Sequence, residues 1–342
     1  MPDTAYRTDG TPGPVAPIND REHRLLSRAA HAAPSVHDSQ PWRFPLHGHQ
    51  IEVWADDRRA HASTDPQGRQ MVISCGAALL NLRLAMAHLG FEPRVTLCPA
   101  GEAESHLATV ERGPARPPTP HMEALYEAIA ERRPNRGPHR PEPVPRAVVY
   151  RLRRAAREEG AVLHEIRTRE QRALLLDALR HAVGVRLTDR VWRAEFLSWA
   201  GTGGGQDREG DENLLAGRRE RGSNPATNDG VAGALTDSEE EALADIVGRE
   251  TFFLLATAED DRPSWLRAGM AAQRVLLTAH LAGVTVSFLN QPVEAAVLRG
   301  LVRPVLDLPG VTQLLLRVGY PWTLTPPAPR RSSEGVVAAR NG

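Results

Sequence analysis

Two long apolar segments constrain the fold most, because they resemble each other. The first runs from Met71 to Gly90 and the second from Trp265 to Gly283. Each carries a glycine with paired alanines close behind it, and each ends in Ala-His-Leu-Gly or Ala-His-Leu-Ala-Gly. Both patterns predict a buried helix that a glycine terminates, and a β-like segment follows each helix. The similarity of the two segments indicates an internal repeat of two copies. Chance similarity between two Ala/Leu-rich helices is the alternative.

The repeat predicts an α+β protein of two halves, joined at the proline-rich connector Gly113–Pro120. Half 1 is expected over 20–120 and half 2 over 121–330, with a disordered leader at 1–19 and a flexible tail at 331–342. The patterns also predict helices at 20–32, 71–90, 121–132, 145–158, 169–182 and 266–283, a hairpin over 42–54, and strands at Phe91–Cys98, Val284–Leu289 and Thr312–Tyr320.

Half 2 carries an insertion over about 185–244 that has no counterpart in half 1. It begins with Trp192, Phe196 and Trp199, which fall on one face of a helix. A further helix is expected from Ser238, with Glu241 placed for a capping box. The aromatic stripe suits plain core packing, and a lid over a ligand is the alternative, since loops this long are commonly lids or disordered segments.

Composition excludes several function classes. The chain has 342 residues, a net charge of zero and 41% hydrophobic residues, so nothing calls for a nucleic acid or an anionic membrane as partner. All 42 basic residues are arginine. Without lysine the chain has no side chain for a Schiff base, which excludes pyridoxal-phosphate chemistry and lysine-dependent aldolase chemistry.

Cysteine content and hydropathy predict a cytoplasmic protein. Cys75 and Cys98 lie far apart without CxxC spacing, so two buried, reduced thiols are expected, with a single disulfide as the alternative. The polar start of the chain has no apolar core of a signal peptide. The best apolar run, Val275–Leu289, is too short to span a bilayer comfortably and contains a histidine.

The segment Pro34–Trp42, with the sequence PSVHDSQPW, is the strongest candidate for a binding loop. Pro34 and Pro41 interrupt regular structure at both ends. Short polar side chains and free backbone amides lie between them, and a helix and a hairpin flank the loop. Such a loop suits the heteroatom edge of a flat ligand. An ordinary proline-bounded turn is the alternative.

The same loop resembles the PSxxNxQPW flavin-ring loop of the nitroreductase family, most closely that of its two-repeat, Acg-type branch. The family's RRSxR phosphate motif is similar to Arg132-Arg133-Pro134-Asn135-Arg136 in half 2. Each motif occurs once, in a different half. The resemblance, which covers about 20–330, implies a fused pseudo-dimer in which the two motifs complete one site for flavin mononucleotide (FMN).

What the resemblance implies about residues can be stated position by position. The ring-loop residues are Pro34, Ser35, Val36, His37, Asp38 and Gln40. The phosphate would be held by Arg132 and Arg133, with Arg330 or Arg331 closing from the other side, since guanidinium groups bind phosphate bidentately. Arg136 would lie by flavin N1 and O2 and stabilise negative charge there. Leu289 and Asn290 complete the predicted set. A solvated helix end is the alternative for the arginines.

The expected activity is electron transfer from NAD(P)H to a small acceptor, such as a nitro compound or a quinone, without a protein general acid. A homodimer is possible. Two departures from the family motifs stand against ordinary flavin binding. Asp38 replaces the loop asparagine and can only accept hydrogen bonds when ionised, and Pro134 replaces the phosphate-binding serine. The rival function is therefore sequestration or storage of flavin with little turnover.

Other motifs predict no site. Gly201–Gln206 lacks the third glycine of a dinucleotide-binding loop and follows a predicted helix, so we expect a linker. His47-Gly48-His49 has no further ligand at metal spacing, and a hairpin turn is expected instead. Ser35, His37 and Asp38 are the residue types of a hydrolase triad, but triad members come from separate segments and no GxSxG elbow is present.

Overall fold

A computed structural model describes residues 16–61, 65–133, 135, 139–188, 237–290, 293 and 309–322. Seven helices lie in these ranges: α1 Asp20–His31, α2 Arg69–His88, α3 Pro120–Glu131, α4 Arg146–Glu158, α5 Arg169–Thr188, α6 Asp237–Arg249 and α7 Arg262–Leu281. The strands are β1 Trp42–Arg43, β2 Leu46–His47, β3 Gln50–Ala55, β4 Phe91–Leu97, β5 His106–Ala115, β6 Val162–Ile166, β7 Thr251–Thr257, β8 Thr285–Phe288 and β9 Val311–Gly319.

The strands form two antiparallel sheets with matching topology. The first has the order β1-β3-β5-β4, with β2 also paired to β3, and the second has the order β6-β7-β9-β8. Helix α1 precedes β1 and helix α4 precedes β6. Helix α2 connects β3 to β4 and β5, and helix α7 connects β7 to β8 and β9. The α+β class is confirmed, and the repeated topology supports the duplication inferred from the two apolar helices. The limits of the halves at residue 120 stay a prediction.

The two long helices α2 and α7 pack against each other at the centre of the molecule. A Cβ on Gly76 would lie 2.3 Å from the carbonyl oxygen of Leu266, so only glycine permits the approach. Farther along, the buried Gln273 donates a 2.8 Å hydrogen bond to Asn81, whose amide donates to the Ala29 carbonyl of α1. A single hydrophobic cluster includes residues from both sheets and both long helices.

Helix α3 lies across the C-terminal ends of both long helices. His88 of α2 contacts Glu123 at 2.7 Å, and His280 of α7 contacts Glu131 at 3.3 Å. The two glutamates are two helical turns apart on α3. Thr119 caps the start of α3 and Pro120 occupies its first turn, as is usual for a helix beginning. The helix therefore links the halves just before the predicted arginine motif.

Helix α2 has the length and hydropathy of a membrane span, but 83% of its most apolar window is buried inside the protein. It packs on α1, α3 and α7 and against the first sheet. Burial on all sides explains an all-round apolar sequence without any membrane.

Most predicted elements are confirmed, including the six helices, the hairpin with its turn at Gly48, and the strands at 91–98, 284–289 and 312–320. Three strands were missed: β5, β6 and β7. The connector was placed wrongly, because Gly113–Ala115 belong to β5 and only 116–119 join it to α3. Cys75 is buried and Cys98 half-buried, and both are free thiols. The aromatic stripe and Gly201–Gln206 lie outside the described residues.

Candidate functional site

The ring loop is held against the N-terminal half of α2. Its backbone turns through a short 3₁₀ helix, Val36–Asp38. The amide of Val36 donates to the Ser74 hydroxyl at 3.4 Å, and the thiol of Cys75 donates to the Pro41 carbonyl at 3.3 Å. Within the loop, the backbone amide of Gln40 donates to the Ser35 hydroxyl at 3.0 Å. The loop is thus fixed by α2 at one side and by its own serine at the other.

Arg59, which the sequence did not single out, braces the loop. Its guanidinium donates to the carbonyls of Ser39 at 3.2 Å and Gln40 at 2.8 Å. Asp56 lies 3.4 Å from the same guanidinium. The hydrogen bond from Arg58 and the nearby arginine charges hold the pKa of Asp56 below its usual range, although burial opposes them. The signal available was a pair of arginines directly after strand β3, which is too common a pattern to identify a brace.

The loop has two marks of a binding site. Asp38 and Gln40 have φ of 52° and 47°, a region that costs free energy for non-glycine residues and clusters at functional sites. Ser39 and Gln40 are each only 2% exposed, yet Ser39 Oγ and Gln40 Nε2 have no hydrogen-bond partner among the described residues. Gln70 Oε1 on α2, one turn before Ser74, is likewise buried without a hydrogen-bond partner among the described residues. Buried polar atoms without partners are rare, and each calls for a physical explanation, of which a bound polar ligand is one.

The start of α2 also reaches the second half of the chain. Arg69 is buried, and its guanidinium donates to the Gln313 carbonyl at 2.8 Å and to the Val293 carbonyl at 3.0 Å. The carboxylate of Asp65 accepts the Met71 amide at 2.9 Å, so it satisfies the open end of the helix. Burial raises the pKa of Asp65 despite these amide contacts.

Leu289 and Asn290 form the turn that follows β8. The Leu289 amide donates to the Leu315 carbonyl at 2.9 Å, and Asn290 Oδ1 accepts the Leu315 amide at 3.1 Å. The turn is thereby fixed to β9. Because the Val293 carbonyl accepts a hydrogen bond from Arg69, the same turn lies beside the start of α2, which supports the ring loop.

The arginine motif begins where α3 ends. Arg133 is half-buried, and its Nη1 donates to the carbonyls of Ala130 at 2.8 Å and Arg132 at 3.1 Å. This cap on the helix end matches the alternative interpretation of the motif for Arg133. Arg132 is half-buried. The Asn135 carbonyl accepts a 2.5 Å hydrogen bond from Ser287 of β8, two residues before Leu289.

A series of contacts runs from the ring loop to Ser74, from α2 to Val293 through Arg69, and from β8 to Asn135 through Ser287. Not all candidates can be located. The side chain of His37, together with Pro134, Arg136, Arg330 and Arg331, lies outside the described residues.

A cleft of about 230 Å³ lies near the start of α2, lined by residues of half 1 and by Arg262 of half 2. Its walls include Asp57, Met71, Glu104 and Arg262, and Arg262 donates to the Glu104 carboxylate at 2.8 Å. The volume is below the range usual for sites that enclose a drug-sized ligand.

Sequence comparison identifies relatives over almost the whole chain. The Mycobacterium tuberculosis protein Rv3131, named as an NAD(P)H nitroreductase, is 32% identical over 92% of this chain and 90% of its own length. A second M. tuberculosis protein, acg, carries the same enzyme name and is 31% identical over 99% of this chain and 98% of its own. No protein-family model matches the chain.

Solved structures give only distant likenesses. A nitroreductase-like family protein from Bacillus cereus has a TM-score of 0.39 and 14% identity over 64% of this chain and 96% of its own. The FMN-dependent nitroreductase NfnB from Mycobacterium smegmatis, solved in complex with NADPH, has a TM-score of 0.37 and 19% identity over 58% of this chain and 88% of its own.

Proposed function

This chain belongs to the NAD(P)H nitroreductase family, and from that premise we propose that it is an FMN-dependent oxidoreductase. Electrons would pass from NAD(P)H to a small acceptor such as a nitro compound or a quinone. The observation that carries the proposal is the pair of buried polar atoms, Ser39 Oγ and Gln40 Nε2, without partners in a loop of the family's ring-binding type. A polar ring edge would satisfy both.

The residues present suit the group. Gln40 and Ser39 would donate to heteroatoms of the flavin ring, and the strained backbone at Asp38 and Gln40 would present them in fixed positions. Arg132 would bind the phosphate as a cationic donor. Arg133 can share this task only with the part of its guanidinium that does not cap α3. When bound, FMN supplies the redox chemistry, taking up a hydride and giving electrons to the acceptor.

The chain's own contribution would be orientation and electrostatics. Arg59 and Ser74 hold the ring loop in place. Arg136, by its place in the motif, would supply a positive charge near N1 and O2 of the ring and so make acceptance of negative charge easier. No described residue is assigned a proton-transfer role.

Storage of flavin without turnover is the second candidate function. It is favoured by the carboxylate of Asp38, where the family motif has an amide, and by Pro134, where it has a serine. An acceptor-only side chain beside the ring disfavours added negative charge on the ring. Slow reduction of the bound flavin would follow.

Reconstitution with FMN tests the proposal and separates the two candidates. The purified protein is mixed with FMN, freed of excess by gel filtration, and treated with NADPH without oxygen. A bound yellow chromophore that bleaches supports the oxidoreductase, whereas one that stays oxidised supports storage. Absence of bound flavin after reconstitution contradicts both.

Arg136→Ala addresses the charge near the ring. We expect weaker FMN binding or a lower flavin reduction potential. Arg154→Ala is the matched control, because Arg154 is an exposed arginine of α4 whose described partner is Glu158 on the same helix. Equal affinity and potential in the Arg136 variant and the control would remove Arg136 from the site.

Several finer attributes belong to the same proposal. The protein acts on small molecules and has neither a nucleic acid nor a membrane as partner. It works in the cytoplasm, and two chains can associate. Light scattering of the reconstituted protein, with and without flavin, measures the last of these. A single-chain mass at all concentrations would restrict the site to one chain.

A further inference from the structure

A buried cluster of charged side chains lies beside the arginine motif, and the proposed reaction does not use it. Glu250, at the start of β7, is 8% exposed and pairs with Arg317 of β9 at 3.3 Å. His139 donates its backbone amide to Glu250 Oε1 at 3.1 Å, and its ring nitrogen Nδ1 lies 2.7 Å from Glu250 Oε2. Two strands and the segment after α3 therefore meet at one carboxylate.

The cluster holds the chain on both sides of residues 136–138. On the far side, His139 is fixed to Glu250, its Nε2 lies 3.2 Å from Thr285 Oγ1, and its ring packs so closely on Gly319 that a Cβ there would overlap it. On the near side, the Asn135 carbonyl accepts from Ser287, and Ser287 accepts from Arg317 at 3.3 Å. One network thus fixes both neighbours of the three residues that include Arg136.

Other contacts join the far side to the sheet without using the cluster. The Arg140 amide donates to the Tyr320 carbonyl at 2.8 Å, and His139 forms a β-bridge with Pro321. On the near side, the Ser287 hydroxyl joins the Asn135 carbonyl to β8. Loss of the cluster should therefore loosen the arginine segment without detaching the chain that follows it.

We propose that the His139–Glu250–Arg317 cluster positions the arginine motif, so that FMN affinity depends on residues that never touch the flavin. The inference rests on the proposed function, since it assigns the arginines to FMN. Such indirect support is common at binding sites, where the residues behind a ligand-contacting segment fix its geometry. His139, Glu250 and Arg317 are thus positioning residues.

The chain supplies a close control for this cluster. Glu159 at the end of α4 is 6% exposed and pairs with Arg83 at 2.5 Å and Arg274 at 2.6 Å. It is also a buried carboxylate between arginine side chains, but it ties α4 to α2 and α7 instead of to the arginine motif. Glu250→Gln and Glu159→Gln make the same chemical change at similar burial, and both should lower thermal stability.

Two measurements distinguish positioning from general destabilisation. The FMN dissociation constant is determined by titration well below the melting temperature of each variant. We expect Glu250→Gln to raise it about tenfold, the lower end of the loss seen when a contact behind a binding group is removed, and Glu159→Gln to leave it at the wild-type value. Amide hydrogen exchange of the flavin-free proteins is followed for a peptide over 132–140, where faster exchange is expected only in Glu250→Gln.

The outcomes separate the inference from the function it rests on. Equal affinities in the two variants, or equal exchange of the 132–140 peptide, overturn the positioning role even when wild-type protein binds FMN. If exchange is faster in Glu250→Gln but the wild-type protein binds no FMN, the cluster still anchors the 132–140 segment. The proposed function is then contradicted. If Glu250→Gln does not fold, Ser287→Ala, which removes only the hydroxyl between Arg317 and Asn135, must show the same two effects.

Discussion

Gly269 of α7 lies directly against Ile73 of α2 where the two long helices cross. A Cβ on Gly269 would be 1.9 Å from the Ile73 carbonyl oxygen and 2.9 Å from the Cα of Gly76. Gly76 belongs to the corresponding stretch of the first apolar segment, so equivalent glycines from the two repeats meet at the crossing. The duplicated sequence is therefore the reason that the halves can pack backbone to backbone.

Gly269→Ala should destabilise the protein by about 3 kcal/mol, because the added methyl group meets backbone that cannot rotate away. Chemical denaturation measures the change. Gly248→Ala is the control, since Gly248 lies in α6 with no atom within 4 Å of an added Cβ. There alanine should be neutral or stabilise by about 0.5 kcal/mol through helix propensity. Equal effects of the two substitutions would contradict the close crossing.

The helices could be predicted because their signals are local. Apolar periodicity, the terminating Gly90 and Gly283, and the flanking prolines define each helix within a few residues. Strand β5 could not be predicted in the same way, because it contains Arg112, Gly113 and Pro114. Arg112 is accommodated only by tertiary contacts, with Glu22 at 2.6 Å and over the ring of Phe91 at 4.1 Å.

The bulge in β5 explains the misplaced connector. Pairing with β4 shifts register between Phe91 and Pro93, opposite Gly113 and Pro114. A Cβ on Gly113 would lie 2.6 Å from the Glu92 carbonyl oxygen, so glycine is required there by close strand contact and not by a loop. In the sequence, Gly and Pro at this point resemble a linker.

Gln40→Met should separate stability from binding. The substitution keeps the length of the side chain and removes a buried amide nitrogen that has no partner in the described part of the chain. The melting temperature of flavin-free protein should stay equal or rise, since an unsatisfied buried donor costs about 1–3 kcal/mol. The increase in melting temperature on adding excess FMN should shrink in this variant. Two results together would contradict a role for Gln40 in binding FMN: a lower melting temperature of the flavin-free variant, and an increase on adding FMN as large as that of the wild type.

Acid should weaken the folded state through His139. Burial lowers the pKa of His139, and the charge of Arg317 adds to this, although the contact with Glu250 opposes it. The unfolded chain takes up the proton near pH 6.5, so this contribution to stability is present above that pH and is lost as the pH falls below it. His31 and His164 share the direction of the shift, with burial as the first cause.

The measurement is the free energy of unfolding against pH in the wild type and in His139→Gln, between about pH 8 and pH 5. The wild-type value should decline below pH 6.5 more steeply than that of the variant, by at most about 1.4 kcal/mol per pH unit for one group. Glu250, Arg317 and Arg172, whose guanidinium donates to the Glu250 carbonyl, are the charged groups around this histidine. Parallel curves would show that His139 does not bind its proton differently in the two states.

The candidate site was predictable in its motifs and not in its supports. PSVHDSQPW and RRPNR could be recognised from the sequence because each motif is a short continuous run, and the roles of their residues toward flavin stay predictions. Arg59 and Ser74 act through contacts that form only in the folded chain. Arg59 supports the loop by donating to backbone carbonyls, and such contacts cannot be recognised in the sequence. Arg133 is the opposite case, because it belongs to a recognised motif but part of its guanidinium caps the end of α3.

Titration with FMN tests most directly whether one site takes its ring loop from the first half and its arginines from the second. Flavin fluorescence is measured against protein concentration for the wild type, Gln40→Met and Arg136→Ala. We expect one FMN per chain and weaker binding at that same site in both variants, one from each half. Two flavins per chain, no binding, or an affinity that only one of the two variants alters would contradict a site shared by the two halves.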